Sequence, residues 1–403
     1  MDKVRFGGEA VAAVVAEDRY CAEDALERVR VQYEPLHPVV DVREALAPGA
    51  ALIHETFGTN LAARWTIKTG DVDAALARAE RRLSERLVIV RGTGGFMETR
   101  GILAAPEPGG RITVWSSTQA PHLVQRLVGE LLDLGPDQLR VVAPDVGGGF
   151  GPKAPLYPED YLIPWLALQT GRSVRWIEDR REDLLTTAQE RDCVCDVEVG
   201  FTRDGTPVAM RSRIAMPMPG GAKPGLEATE YFHTKGTAYS SGTNLAVVEV
   251  DPETGQVKVL RYVVVHDCGR AINPMIVDGQ IHGGVVHGIG NTFLEDAPFG
   301  PDGQPLAATF MDYLLPTAAE CPAFEVAHVE TPTPLNPLGI KGCGESGTIP
   351  AAGTLIAAVE DALSPFNIRI TDIPSPPNAS APSSPPPLSP QSFHLSPNQG
   401  DRS

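Results

Sequence analysis

Alternation of apolar and polar residues marks hairpins at three places along the chain. The segment 195–214 reads CDVEVGFTRDGTPVAMRSRI, with period-two alternation on both sides of Asp204 and Gly205. The segment 245–265 reads LAVVEVDPETGQVKVLRYVVV and turns at 253–255. Successive side chains of a strand point to opposite faces, and Asp-Gly favours a tight turn, so each segment predicts a pair of strands. The segment 105–119, APEPGGRITVWSSTQ, predicts a third hairpin.

Helical patterns occupy other stretches, and the helices and strands follow no simple repeat. Asp71 is a suitable N-cap for an amphipathic helix over 71–86. Further helices are predicted over 121–135, 160–171 and 354–363. The opening of the chain predicts a compact β-α-β unit, with strands at 9–17 and 29–36 around a helix at 22–29. These elements predict an α+β (mixed α/β) fold.

Two regions interrupt this pattern. The segment 215–225, AMPMPGGAKPG, is rich in proline and glycine, which predicts a linker or a join between packed units. The final residues, 375–403, consist largely of Pro, Ser, Asn and Gln. Such a segment cannot bury enough apolar surface to offset the entropy lost on ordering, so we expect it to be disordered.

Charge and composition exclude several classes of function. The chain has a formal net charge of −17, and no run of Lys and Arg breaks its acidic character. An acidic surface repels phosphate backbones and anionic lipid, so nucleic acid is not expected as a partner. None of the 6 cysteines forms a CxxC pair, and neither a signal-peptide core nor a membrane-length apolar run is present. We therefore expect a soluble, cytoplasmic protein without a membrane span.

A glycine-rich segment at 336–347, NPLGIKGCGESG, surrounds a single carboxylate, Glu345, ahead of an apolar helical pattern. Glycines permit positive φ and let a large ligand approach the backbone. The residue types alone are explained equally well by a placed functional carboxylate and by an ordinary surface glutamate on a turn.

A second glycine-rich segment at 145–153, DVGGGFGPK, lies between a predicted strand and a helical segment. Backbone N–H groups in such a loop can bind an anionic or oxo ligand, although a plain tight connection is the simpler interpretation. It is not a P-loop, because Pro152 precedes Lys153 and Ala154 follows it.

Two more segments are candidates for binding. Gln119 comes at the end of a predicted strand before a proline, where its amide can donate a hydrogen bond into a pocket, but an isolated glutamine is usually structural. The segment 278–290 carries small residues at helical spacing, which allows close approach of a neighbouring backbone or a cofactor. His282 and His287 are five residues apart and do not share a helix face, so we interpret them as structural or hydrogen-bonding residues and not as metal ligands.

These segments, in this order, resemble the molybdopterin-binding large subunits of the xanthine dehydrogenase, aldehyde oxidase and carbon monoxide dehydrogenase family. The likeness covers nearly all of 2–374 and excludes the tail. It rests on the conjunction of METRGILA, WSSTQAPH, APDVGGGFGPK, RWIEDRREDLL, GQIHGGVVHGIG and NPLGIKGCGESGTIPAA. The resemblance implies 1–50 as a remnant of a first, a/b hammerhead-like domain, 51–214 as a first molybdopterin-binding domain, and 226–374 as a partial second one.

The resemblance also implies a cofactor and a set of site residues. The cofactor is molybdenum held by the dithiolene of a molybdopterin, often the cytosine dinucleotide, with no direct protein ligand to the metal. Glu345 corresponds to the general base near the metal, and Gln119 to the glutamine that hydrogen-bonds the apical oxo ligand. The other residues implied to contact the cofactor are Gly148, Gly149, Phe150, Gly151, Gln280, Gly283, Gly284, Lys341, Gly342 and Gly344.

The implied activity is hydroxylation of an aldehyde or N-heterocycle with water as the oxygen source. Iron–sulfur clusters and FAD are expected only on partners, a small and a medium subunit, with a dimer of heterotrimers as the complete assembly. Family members are longer, and they separate the segments on either side of 215–225 by a long stretch that this chain lacks, so the fold is expected to be incomplete. An inactive remnant or mis-assembled gene product, and a binding or interaction module on the same scaffold, are therefore alternatives.

Overall fold

The computed structural model describes residues 3–216, 236–251 and 254–373, and the backbone of 396–397. The helices are α1 (Arg19–Leu26), α2 (Val42–Ala45), α3 (Val72–Arg78), α4 (Pro121–Leu132), α5 (Pro158–Thr170), α6 (Arg180–Thr186), α7 (Pro274–Phe293) and α8 (Thr348–Ala362), with 3₁₀ turns at Glu55–Phe57 and Ser364–Phe366. The strands are β1 (Arg81–Gly92), β2 (Gly101–Glu107), β3 (Arg111–Ser116), β4 (Leu139–Val142), β5 (Val174–Ile177), β6 (Glu190–Phe201), β7 (Pro207–Ala215), β8 (Ser241–Val250), β9 (Val257–Asp267), β10 (Phe324–His328), β11 (Ile368–Arg369) and β12 (Ser396–Pro397).

The longer strands form three sheets. One is antiparallel with the order β1-β6-β7, and a second has the order β4-β3-β2-β5, in which only β3 and β4 run parallel. The third has the order β10-β9-β8, with β9 antiparallel to β8 and parallel to β10. Strands β11 and β12 form a short antiparallel pair. The mixed α/β class predicted from the sequence is thus confirmed.

Two main hydrophobic cores hold these layers together. Helices α4 and α5 cover the four-stranded sheet, and their contacts include Val124, Val128 and Ile163. Helices α7 and α8 pack on each other and on the sheet β10-β9-β8, with Ile281 and Leu355 fully buried. A smaller core joins the two halves of the chain, because it brings Leu184 together with Ala297, Ala307 and Tyr313.

Most local predictions are confirmed. The hairpins β2–β3, β6–β7 and β8–β9 form as expected, and helices α4, α5 and α8 lie within or beside the predicted stretches. Asp71 is the N-cap of α3, since its side chain accepts a hydrogen bond from the N–H of Ala74. Each of these features depends on residues close together in sequence.

The helix predicted over 71–86 is wrong beyond Arg78. Ala79 is already extended, and residues from Arg81 onward pair with β6. The sequence has helical spacing here, but backbone pairing with a strand more than a hundred residues away decides the structure.

The β-α-β unit predicted at the start is also wrong. Within residues 3–50 the structure contains α1 and α2 but no strand, and no residue of this range is buried. Neither 9–17 nor 29–36 pairs with another strand among the described residues, so their apolar composition is not enough to make them β-strands.

The predicted linker and the predicted disordered tail lie mostly outside the residues that the structure describes. Residues 217–225 of the expected linker lie outside the described residues, as does the expected disordered tail apart from the backbone of 396–397. The domain boundaries at 51–214 and 226–374 stay predictions. No helix among the described residues is long and apolar enough to cross a membrane.

Candidate functional site

The glycine-rich loop at 147–151 follows β4 and lies directly against Gln119. Gln119 Oε1 accepts a hydrogen bond from the N–H of Gly151 at 2.9 Å, and the Gln119 N–H donates to the carbonyl of Lys153, also at 2.9 Å. A Cβ on Gly149 would lie 2.5 Å from the Gln119 side chain. The structure therefore brings these two predicted parts of the site together, and any side chain at position 149 would force the Gln119 side chain to move.

An ion pair between a buried lysine and a partly exposed glutamate supports this loop. Glu98 Oε2 accepts hydrogen bonds from the Gly147 N–H at 2.7 Å, from Lys153 Nζ at 2.9 Å and from Ser117 Oγ at 3.0 Å. The Lys153 side chain has no exposed surface, and its ammonium lies 4.6 Å from the centre of the Phe96 ring. Burial opposes ionisation of Glu98, but these hydrogen bonds outweigh it and lower the pKa of the carboxyl.

Helix α7 has one closed and one open glycine face. On the closed face, a Cβ at Gly284 would lie 2.9 Å from the backbone of Gly347, and one at Gly288 would lie 2.2 Å from the Cβ of Ala351. On the open face, a Cβ at Gly279 or Gly283 would meet nothing within 4 Å. The close approach of a neighbouring backbone is thus confirmed at Gly284 and Gly288, whereas the approach of a cofactor to the open face stays a prediction.

Glu345 lies in the turn that leads into α8, and its side chain is exposed. Its carbonyl accepts from the N–H groups of Thr348 and Ile349, so the residue is fixed at the start of the helix. The same helix start is attached to α7, because Thr348 Oγ1 donates to the carbonyl of Gly284 at 3.0 Å. Gln280 and Gly283 are exposed on the neighbouring face of α7.

Helix α7 also contacts the first glycine loop. The ring of Phe150 makes an edge contact with the imidazole of His287, with 6.2 Å between centroids. His287 is three residues, about one helical turn, beyond Gly284. Both glycine-rich segments are therefore next to α7: the first contacts it at His287, and the helix start that follows the second contacts it at Gly284.

Lys341 is placed differently from the other predicted residues. Its ammonium pairs with Asp267 Oδ2 at 3.0 Å and donates to Thr331 Oγ1 at 2.8 Å. Burial opposes ionisation of Asp267, but hydrogen bonds from the Thr331 hydroxyl, the Gly269 N–H and the Lys341 ammonium outweigh it and lower the pKa of the carboxyl. The side chain of Lys341 is therefore engaged within the protein, while Gly342 and Gly344 beyond it are exposed.

A buried acid was missed by the sequence analysis. Glu295 is 3% exposed and accepts a hydrogen bond from the hydroxyl of Tyr313 at 2.6 Å, while that hydroxyl accepts from the N–H of Thr93 at 2.8 Å. Burial raises the pKa of Glu295 to about 7. No motif marks Glu295, because its environment comes from residues far away in sequence.

The raised pKa of Glu295 predicts a pH-dependent stability. The folded carboxyl holds its proton more tightly than the unfolded one, so its stabilising contribution is fully present below the ordinary glutamate pKa of 4.5 and is lost as pH rises through about 7. Across that range we expect the free energy of unfolding to fall by about 3 kcal/mol through this group. Glu295→Gln should remove this part of the slope in urea unfolding measured between pH 5 and pH 8.

An exposed glutamate provides the control for this measurement. Glu27→Gln, just after α1, should retain the wild-type slope. Burial raises the pKa of Asp160 to about 6, so Asp160 contributes to the pH dependence of stability in both variants. The effect of Glu295 is therefore the difference between the slopes of the two variants. An unchanged slope in Glu295→Gln would contradict the prediction.

Among the described residues, no group of three or more His, Cys, Asp and Glu side chains is arranged to hold a metal ion. What converges instead is a glycine loop with a glutamine amide, an open glycine face of a helix and an exposed carboxylate. Such a surface suits a bulky polar ligand that brings its own reactive centre.

Comparison with protein families gives three matches. Residues 53–240 and 178–322 match two models of a molybdopterin cofactor-binding domain. Residues 1–37 match the aldehyde oxidase and xanthine dehydrogenase a/b hammerhead domain. The two cofactor-domain matches overlap at 178–240. They include the glycine loop at 147–151, whereas the second glycine-rich segment, 336–347, lies beyond them.

Individual relatives show how much of their length the chain represents. It is 39% identical over 201 residues to the nicotine 6-hydroxylase large subunit of Paenarthrobacter nicotinovorans, which covers 50% of this chain and 23% of that one. An alignment of 681 positions with the carbon monoxide dehydrogenase large chain of Hydrogenophaga pseudoflava is 22% identical and covers 93% and 85% of the two chains. The chain thus spans less than a quarter of the first relative and aligns along most of the second only at low identity.

Solved structures support the fold. Quinoline 2-oxidoreductase from Pseudomonas putida 86 superimposes with a TM-score of 0.78 and 20% identity, covering 89% of this chain and 83% of that one. Carbon monoxide dehydrogenase from Oligotropha carboxidovorans superimposes with a TM-score of 0.77 and 19% identity. This superposition covers 89% of this chain and 84% of that one. At these identities the likeness establishes the fold alone.

Proposed function

Since the chain belongs to the xanthine dehydrogenase, aldehyde oxidase and carbon monoxide dehydrogenase family, as a molybdopterin-binding large subunit, we propose that it is an oxidoreductase subunit that hydroxylates an aldehyde or N-heterocycle. The oxygen comes from water, and Glu345 is the general base. The observation that carries the proposal is the meeting of both glycine loops on α7, with Gln119 on one side and Glu345 on the other.

The residues present fit a molybdenum–molybdopterin cofactor, and the cytosine dinucleotide form of that cofactor is part of the proposal. Gly151, Gly279, Gly283 and Gly344 have open space where a side chain would be, so a large planar ligand can approach the backbone on both sides of α7. The bound cofactor would supply two-electron redox chemistry at the substrate carbon. The protein's own contribution is to bind, orient and move protons.

Each side chain has a distinct part in this proposal. Hydroxylation with water releases protons and electrons, and the Glu345 carboxylate accepts the proton given up by the attacking oxygen. Gln119 uses its Oε1 to accept from Gly151, which leaves its NH₂ as the donor to an oxo group. Glu98 and Lys153 hold the backbone of the loop in place.

The electrons must leave the site, and the chain's cysteines include no CxxC pair for an iron–sulfur cluster. We therefore include in the proposal an iron–sulfur small subunit and an FAD-binding medium subunit, in a dimer of heterotrimers. The relatives agree with this, since they are named as a large subunit, a large chain and a subunit gamma of a dehydrogenase complex. Cytoplasmic localisation belongs to the same proposal.

The proposal is tested by measuring molybdenum per chain with elemental mass spectrometry, after expression with molybdenum-cofactor biosynthesis intact. We expect near-stoichiometric metal in the wild-type chain. Gly283→Leu should lose most of the metal while the protein stays folded, because the new side chain projects from the open face of α7 where the cofactor would lie.

Gly353→Leu is the matched control. A Cβ at Gly353 also meets nothing within 4 Å, but this residue lies on the part of α8 beside Asn244 and Ala246 of β8, so the metal content of the variant should stay at the wild-type level. A folded wild-type chain without molybdenum would refute the proposed cofactor. Equal metal in Gly283→Leu and wild type would refute the proposed position.

A further inference from the structure

Backbone strain is concentrated around His287. Five non-glycine residues of the described chain have positive φ, and three of these adjoin His287 directly or through Glu190: Phe150 (51°), Arg191 (65°) and Asp192 (51°). Left-handed backbone is unfavourable for residues with a Cβ and persists only where surrounding contacts hold it, often at functional sites. This clustering indicates that the position of His287 relative to its neighbours is closely determined.

The contacts of His287 connect two parts of the protein. His287 Nε2 lies 2.8 Å from Glu190 Oε1, and since an ionised carboxylate can only accept, the imidazole donates. Its ring meets the edge of Phe150 at an interplanar angle of 78°. The imidazole is thus held by β6 on one side and touches the glycine loop on the other.

Glu190 contacts the imidazole from the start of β6, where Arg191 and Asp192 have a left-handed backbone conformation. Asp192 forms an ion pair with Arg91 of the neighbouring strand, and the guanidinium of Arg91 lies 4.4 Å from the centre of the Phe299 ring. These contacts hold the left-handed residues beside Glu190. Burial of Glu190 opposes its ionisation, but the hydrogen bond to His287 and the charge of Arg191 outweigh it and lower the pKa of the carboxyl.

We propose that His287 is a positioning residue that fixes the glycine loop 147–151 through its ring contact with Phe150, and that Glu190 holds the imidazole in place for this purpose. The inference rests on the proposed function, because it concerns the same site. Phe150 is one residue from Gly149 and from Gly151, whose contacts with Gln119 bring the loop and the amide together. Displacement of the Phe150 ring would therefore separate the loop from Gln119.

The test is hydrogen–deuterium exchange of the full-length, metal-free chain, read by mass spectrometry on peptides that span 147–153. The N–H of Gly151, bonded to Gln119, exchanges only when the loop opens. We expect at least tenfold faster exchange in His287→Leu and in Phe150→Leu. The double variant should be no faster than Phe150→Leu, because His287 acts through that ring.

His287→Gln separates the ring contact from the hydrogen bond. The glutamine amide can still donate to Glu190 but has no aromatic ring to contact Phe150, so hydrogen exchange in the loop should again be faster than in wild type. The free energy of unfolding should fall less than in His287→Leu. His282→Leu is the control on the same helix, because the His282 ring contacts Phe324 instead of the loop, at 5.5 Å between centroids. It should leave exchange at 147–153 unchanged.

Two outcomes would overturn the inference: wild-type exchange at 147–153 in both His287 variants, or equal acceleration along α7 and α8, which would show general destabilisation. If the wild-type chain binds molybdenum, the His287 variants should have a lower kcat than wild type, with unchanged molybdenum content and nearly unchanged KM. If the wild-type chain carries no molybdenum, the proposed function fails, whereas the exchange result on the metal-free chain still decides the coupling of His287 to the loop.

Discussion

Arg100→Met is expected to lower the free energy of unfolding by about 3–5 kcal/mol, the largest stability effect that the structure predicts for one side chain. Arg100 precedes β2 and Glu178 follows β5, and their side chains are 6% and 0% exposed. The substitution leaves the Glu178 carboxylate buried without its main counter-charge.

The surroundings of Arg100 explain why the loss should be large. Its guanidinium also reaches Glu159 at 3.3 Å and Thr186 Oγ1 at 2.9 Å, and it lies 3.8 Å from the centre of the Tyr157 ring. The Arg100 side chain thus connects the start of β2 to α5 and α6. Methionine retains the apolar stem but none of these polar contacts.

Two comparisons make this prediction specific. Arg86→Met removes a surface pair with Asp196 whose side chains are 56% and 46% exposed, so it should cost at most about 1 kcal/mol. The double variant Arg100→Met/Glu178→Met removes both buried charges and should recover part of the stability lost in Arg100→Met. Urea unfolding of the four proteins provides the measurement, and equal losses for Arg100→Met and Arg86→Met would contradict the prediction.

Glu345→Gln is expected to reduce kcat for hydroxylation by about 10²–10⁴-fold in molybdenum-loaded protein, the effect of removing a general base. Glutamine has the same shape as glutamate but cannot accept the proton. Because the Glu345 side chain is exposed, the free energy of unfolding should change by less than about 0.5 kcal/mol. Activity and stability should therefore separate.

Steady-state kinetics with aldehydes and N-heterocycles, normalised to molybdenum per chain, measure this effect. Glu130→Gln on α4, whose side chain is 62% exposed, is the control and should retain full activity. Retention of wild-type kcat in Glu345→Gln would assign the proton transfer to another group.

Much of the fold could be predicted because the decisive information is local. The turn at Asp204 and Gly205 and the N-cap at Asp71 are each determined by a few neighbouring residues. Residues 81–86 have the spacing of a helix but become part of β1, because pairing with β6 supplies a partner that no short window of sequence contains. The same argument explains 9–17, where strand-forming residues lack a partner among the described residues.

The candidate site likewise has some residues that stand out in the sequence and others that only the fold reveals. Glycine-rich segments and an isolated carboxylate are visible in the sequence, but the roles of Gln119, Gly149 and Glu345 are predicted from the family resemblance and not from the residue types alone. The polar groups that support them could not be predicted. Glu98 and Glu190 become recognisable only when folding places them beside Lys153 and His287, respectively 55 and 97 residues away.

The hydrogen bond between the Thr93 N–H and Tyr313 joins residues that are 220 positions apart. Closing so long a loop costs chain entropy before its contacts compensate, which makes such a junction a late event in folding. On the ribosome, the four-stranded sheet with α4 and α5 can form while α7 and α8 are still being synthesised. The surface shared by the two glycine loops would then exist only after nearly the whole described chain has emerged, so insertion of a cofactor there would have to follow translation.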